Sequence, residues 1–226
     1  MSDQPSVAKP AFAVRIVPPM IAPCPPKTVL FDLDNTLWSR DAAVLRLAAA
    51  QHAAFAELAS VPLDAYVHRL ITVDDRGRTD KGLMYQQIVS EFDLPGGLVP
   101  TLRDHFWDTY QSFCTPAADA VPVLKALRGA GIKTGIITNG TVAVQDQKIV
   151  ALGLDAWVDV ILVSEREGVR KPEAEMFFRA VDRLSVEPRD AWFVGDHPDA
   201  DVRGAAEAGM TAVLIRTWVQ SAPDAT

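Results

Sequence analysis

Apolar and polar positions follow two rhythms along this chain, and the change between them divides it. A short apolar run, Thr28-Val29-Leu30-Phe31, ends in acid at Asp32 and predicts a buried strand. From about Asp41 to Thr115 the apolar residues recur at helical spacing. The predicted helices are Asp41–Ser60, Leu63–Ile71, Asp80–Phe92 and Leu98–Phe113, separated by Pro62, the polar Asp74-Asp75-Arg76-Gly77-Arg78 stretch and Pro95-Gly96-Gly97. After about Ala120 short β-branched runs alternate with helices. Strands are predicted at Lys133–Thr138, Val158–Val163, Ala191–Val194 and Thr211–Ile215. Helices are predicted at Val121–Gly129, Val142–Leu152, Glu173–Leu184 and Ala200–Ala208.

Such alternation implies a parallel sheet covered on both faces. The expected fold class is α/β: a doubly wound, parallel, five-stranded Rossmann-like sheet, interrupted after its first strand by a helical insert. Residues 28–38 and 119–226 would form the α/β core and residues 39–118 a helical domain. Seven of the 16 prolines fall within residues 1–27, which predicts an irregular N-terminal extension.

Composition narrows the partners. Hydrophobic residues make up 49% and charged residues 23%, as in an ordinary globular protein. A net charge of −7 without a long basic run argues against a nucleic-acid polymer or an anionic membrane surface as partner. No stretch approaches the ~20 apolar residues that span a bilayer, and the N-terminus has no signal-peptide pattern. Cys24 and Cys114 are the two cysteines and read as reduced thiols of a cytoplasmic protein. Oligomeric state stays open between monomer and homodimer.

The candidate chemistry sits at strand ends, where ligands bind in open parallel sheets. Asp32 and Asp34 close the first strand. Burying two like charges there is unfavourable unless a cation or a reaction needs them. On extended backbone residues i and i+2 share a face, roughly 6–7 Å apart, close enough to bracket a divalent metal. A plain turn and helix cap is the alternative for Asp-x-Asp-Asn. The second strand ends at Thr138-Asn139-Gly140. The third leads through Ser164-Glu165 to Lys171-Pro172-Glu173, and the fourth ends at Gly195-Asp196, followed by Asp199 and Asp201. Each piece alone has an ordinary reading as turn, solvated lysine or helix-start acid; four together do not.

From Thr28 to the last strand the combination resembles the haloacid dehalogenase-like hydrolase superfamily, in its Mg²⁺-dependent phosphatase branch with a helical cap. The resemblance implies that Asp32 is the nucleophile forming an aspartyl-phosphate, and that Asp34 is the general acid and then base. It implies phosphoryl contacts from the Thr138 hydroxyl and the Asn139 backbone N–H, with Gly140 allowing close approach. Lys171 would offset the charge of Asp32 and of the phosphate. Mg²⁺ would be held by Asp32, the backbone carbonyl of Asp34 and Asp196, with Asp201 binding metal waters or orienting Lys171. The role of Asp199 stays open. The implied function is hydrolysis of a small phosphomonoester such as a nucleotide or sugar phosphate. Alternatives on the same scaffold are a sugar-phosphate mutase, a 2-haloacid dehalogenase and a catalytically silent phospho-ligand-binding protein. The presence of Asp34 and Asp196 speaks against the dehalogenase, whose branch replaces the second aspartate and needs no Mg²⁺.

Residues 39–118 fall where that family inserts its cap, with hinges expected at Leu37–Asp41 and Thr115–Asp119. Within the insert, Arg76 is the candidate substrate contact, with Arg78 beside it, for pairing with a second anionic group. His52, His68 and His105 carry no expected catalytic role, and Trp107 and Tyr110 read as packing residues.

Overall fold

The computed structural model describes residues 25–215 and, by its backbone, residues 14–16. Cys24 and most of the proline-rich extension lie outside the described residues. Five parallel strands form the sheet: β2 (Thr28–Phe31), β3 (Lys133–Thr138), β4 (Val160–Val163), β5 (Ala191–Gly195) and β6 (Thr211–Ile215). A sixth, β1 (Val14–Ile16), pairs antiparallel with β6, so the spatial order is β1-β6-β5-β2-β3-β4. This corrects the expectation of an extension irregular throughout: a Val-Arg-Ile triplet suffices to extend an open sheet edge.

The first strand in the parallel set, β2, lies at the centre between β3 and β5, with Thr28 opposite both Lys133 and Ala191. Its alternation feeds two cores. Val29 and Phe31 point into the layer that includes Leu124, Ile136 and Ile149 and runs on into the insert. Leu30 points the other way, among Met176, Phe177, Ala180 and Phe193. The second layer is covered by α8 (Ala174–Leu184), which buries Met176, Phe177, Ala180, Val181 and Leu184 from one face.

The insert carries α1 (Arg40–Ala54), α2 (Leu63–Asp74), α3 (Lys81–Glu91) and α4 (Leu98–Thr109). A fully buried Gln51 on α1 ties all four together. Its Oε1 accepts from Tyr66 Oη and Tyr85 Oη, each at 2.9 Å, and its Nε2 donates to Leu102 O at 2.9 Å. Every polar atom of that amide except one N–H is thereby used, which fixes the helices' relative order. The two connections to the sheet run side by side, Trp38 bridging to Pro116 and Ala117 N donating to Leu37 O at 2.9 Å. The helix predicted over Asp41–Ser60 ends earlier, because Phe55 is extended and a short 3₁₀ turn, Ala56–Ser60, follows.

Candidate active site

The C-terminal ends of β2, β3 and β5, with the segment after β4, open into one cleft of about 680 Å³ whose lining includes Asp32, Asp34, Thr138, Lys171 and Asp196. Asp32 follows β2 directly and is anchored by its own N–H donating to Val194 O at 2.8 Å. Its side chain is almost buried and meets Lys171 Nζ at 2.6 Å. The same ammonium lies 2.7 Å from Asp201 Oδ1, while Asp201 Oδ2 accepts from the backbone N–H of His197 at 2.9 Å. Lys171 is thus clamped between two carboxylates from separate strand ends. Its own backbone is held by the Asn139 side chain, which accepts from Lys171 N and donates to Lys171 O, both at 2.9 Å.

Asp201 reaches the cleft from a wide helical turn, Pro198–Arg203, entered directly from β5. The predicted helix Ala200–Ala208 splits there into this turn and the short α9 (Gly204–Glu207). Wide turns of this kind re-aim side chains. A Cβ at Gly195 would stand 2.4 Å from Asp201 Oδ2, so only glycine lets the carboxylate fold back over the strand end. Asp199 lines the outer part of the cleft and pairs with Arg203 in solvent.

Oxygen atoms of Asp32, Asp196 and Asp201 all lie within 4.8 Å of one another, so these three acids could hold a divalent cation. Their electrostatics ask for one. Burial pushes the Asp32 carboxyl up to about 7, against the pull of Lys171 and with help from Asp201 and Asp34. Burial likewise lifts Asp196 to about 6, with Arg76 opposing. Burial alone would lower the Lys171 ammonium, but Asp32 and Asp201 hold it above its ordinary value. Hard oxygen donors that are poorly solvated fit Mg²⁺.

Asp34 goes elsewhere. The expectation that both aspartate side chains bracket one metal is corrected: the Asp34 carboxylate accepts from Lys148 Nζ at 2.8 and 3.1 Å and from Gln145 Nε2 at 3.0 Å. Burial, the largest single influence, would raise its pKa, but the Lys148 charge and hydrogen bonds, the Gln145 hydrogen bond and the Arg40 charge together hold it below the usual carboxylate value. What Asp34 can still offer a cation is its main-chain carbonyl. Thr138 is buried and its Oγ1 accepts from Gln145, leaving the hydroxyl proton free for the cleft. Gly140 N donates to Ser164 Oγ at 3.0 Å.

The insert supplies the roof. Arg76 Nη1 meets Asp196 Oδ2 at 3.1 Å, and Arg78 Nη2 donates to His197 Nε2 at 2.8 Å. Their turn is built on a buried ion triad: Asp74 pairs with Arg40 and with Lys81, each at 2.7 Å, and also accepts from Gly77 N at 2.9 Å. Asp75 and Arg76 both take left-handed backbone, φ 42° and 54°. Left-handed residues persist where surrounding contacts enforce them.

Sequence reasoning had no expectation for Gln145, Lys148, Arg40 or His197. For the first two a signal existed: a glutamine and a lysine three apart share a helix face, here on α6 (Val142–Ala151), just after Thr138-Asn139-Gly140.

A model of the haloacid dehalogenase-like hydrolase family matches residues 26–209. Ribulose-1,5-bisphosphate 5-phosphatase from Halopiger xanaduensis is 32% identical over 205 residues, 83% of each chain. Glyceraldehyde 3-phosphate phosphatase from Methanopyrus kandleri is 40% identical over 111 residues, which is 49% of this chain. The chain spans about half the length of that relative, 48%. The crystal structure of HAD phosphatase from Thermococcus onnurineus superposes with a TM-score of 0.58 at 28% identity, covering 87% of this chain and 89% of the other.

Proposed function

The chain belongs to the haloacid dehalogenase-like hydrolases, and from that premise we propose that it is a Mg²⁺-dependent phosphatase of small phosphomonoesters. The observation that carries the reading is the convergence of Asp32, Asp196 and Asp201 around one point, with the Lys171 ammonium 2.6 Å from Asp32. Asp32 Oδ attacks phosphorus, and the bond from phosphorus to the ester oxygen breaks. Asp34, an anion beside Lys148 in the free protein, takes up a proton from solvent as substrate binds and gives it to the leaving alkoxide. Water then attacks the aspartyl-phosphate, hands its proton to Asp34, and releases phosphate and free Asp32. Lys171 keeps one anion from repelling another, and Thr138 Oγ1–H and Asn139 N–H hold phosphoryl oxygens. Asp32, Asp196 and the main-chain carbonyl of Asp34, with Asp201 behind them, would hold Mg²⁺. When bound, the ion supplies positive charge to the phosphoryl oxygens.

Residues 39–118 act as the cap that covers the cleft and excludes water. Arg76, aided by Arg78, receives a second anionic group of the substrate. The names of the relatives agree with phosphorylated metabolites as the substrate class. The test is release of inorganic phosphate from a panel of phosphate esters with Mg²⁺ and with chelator. Metal-dependent release that is lost in Asp32→Asn, with circular dichroism unchanged, supports the reading. Equal turnover by parent and variant ends it.

A further inference from the structure

We propose that Lys148, together with Gln145, is a positioning residue for the proton-transfer step, fixing the Asp34 carboxylate in one orientation away from the metal-binding acids. The inference rests on the reading of Asp34 as the acid–base group.

Lys148 is a buried lysine on a core helix, its side chain 6% exposed, and its ammonium donates to both Asp34 oxygens. Asp34 is the sole carboxylate within salt-bridge reach of it among the described residues. Burying an ammonium is unfavourable unless charge and donors are matched. Here the match is made by Asp34 and by two aromatic faces, Trp38 and Tyr110, whose ring centres lie 5.6 and 5.8 Å from Nζ. Those rings come from the segment after β2 and from the end of the insert, so sheet, insert and α6 converge to house one ammonium. Gln145 completes the clamp. It is 2% exposed, and a Cβ at Gly140 would stand 2.9 Å from its Cγ, so the Thr138-Asn139-Gly140 segment is shaped to admit it.

The geometric consequence is a division of labour between two aspartates one residue apart. Asp32 faces Lys171, Asp196 and Asp201. Asp34 is held outside that group by three hydrogen bonds from two donors on α6, Lys148 Nζ and Gln145 Nε2. A carboxylate drawn onto the metal would be lost for proton transfer. One held by side chains that cannot reach the cluster stays available, and a near-attack position fixed to within about an ångström is what proton transfer requires.

A positioning role predicts a signature that a merely structural role does not: dependence on the leaving group. An alkyl phosphate needs its departing alkoxide protonated, whereas p-nitrophenyl phosphate departs as a stable anion. The experiment compares kcat/KM on an alkyl phosphate and on p-nitrophenyl phosphate, with Mg²⁺, for the parent, Lys148→Met, Lys148→Arg and Asp34→Asn. Asp34→Asn is expected to lose the alkyl ester selectively, by ~10²-fold or more relative to the aryl ester. Lys148→Met is expected to show the same selectivity at ~10-fold or more, carried in kcat rather than KM, and Lys148→Arg to recover most of it. Equal losses on both esters in Lys148→Met, beside a selective loss in Asp34→Asn, overturn the positioning role and leave the acid–base reading standing. No selectivity in Asp34→Asn overturns both. Absence of phosphate release by the parent counts against the phosphatase reading itself. If Lys148→Met does not fold, the ester ratio of Lys148→Arg against Gln145→Leu decides: the proposal requires the ratio to fall in the glutamine variant and fails if it does not.

Discussion

Replacing Asp32 by asparagine should make the metal-free protein more stable, although it removes the proposed nucleophile. In the native fold burial pushes Asp32 up to about 7 from an ordinary value of 3.8, even with Lys171 beside it. A carboxyl whose pKa is raised on folding lends stability below its unfolded pKa and loses it as pH climbs through the folded one. At about 1.36 kcal/mol per pKa unit, ionised Asp32 costs the fold about 4 kcal/mol at pH 8. Asparagine, neutral like the protonated carboxyl, removes that cost, and because the value near 7 already contains the pull of Lys171, no further loss is counted for that pair. The net expectation at pH 8 without metal is a gain of about 4 kcal/mol, or about 8–16 °C in Tm for a chain of this size. At pH 5 the folded carboxyl is protonated, its cost falls to about 2 kcal/mol, and the advantage of the variant shrinks to about half. Urea unfolding followed by tryptophan fluorescence, in chelator at both pH values, measures the difference between variant and parent. That difference cancels the titration of groups the two proteins share, Asp196 among them. Mg²⁺ at about 100 times its Kd should return about 2.7 kcal/mol to the parent alone. A variant no more stable than the parent at pH 8, or a gap of equal size at pH 5, would refute the claim that Asp32 is a destabilising buried anion.

Two further perturbations probe the roof of the cleft. Asp74→Asn removes the anion shared by Arg40 and Lys81, both buried, and should cost about 3–5 kcal/mol in urea while speeding tryptic cleavage after Arg76 or Arg78. Unchanged stability and cleavage would mean the triad does not hold the turn. Arg76→Gln should lower kcat/KM about tenfold or more on a phosphoester that carries a second phosphate or carboxylate, relative to p-nitrophenyl phosphate. Equal loss on both esters would instead assign Arg76 to its contact with Asp196.

The parts of this molecule that sequence reasoning reached, and those it did not, divide on a physical line. β3 and β6 emerge with the predicted bounds because each carries a short run rich in β-branched residues set off by breakers. The grouping of Asp32, Lys171 and Asp196 follows once the strands are parallel, since strand ends then share an edge. Lys148 obeys no such rule. Its burial depends on Trp38 and Tyr110, which approach it only when the insert has folded back over the sheet, and a lone lysine on a helix otherwise reads as solvated. The same holds for the turn at Asp75 and Arg76, whose left-handed backbone is imposed by Asp74, Arg40 and Gly77 together. Local pattern reports what one element needs; it is silent on what a second element brings. Asp32 and Asp34 make the point most sharply. They are equivalent in residue type and adjacent in spacing, yet one faces a lysine from the segment after β4 and the other a lysine from α6. Their division, one facing the acidic cluster and one averted from it, is therefore a property of tertiary structure, and the Asp-x-Asp spacing alone could not have assigned it.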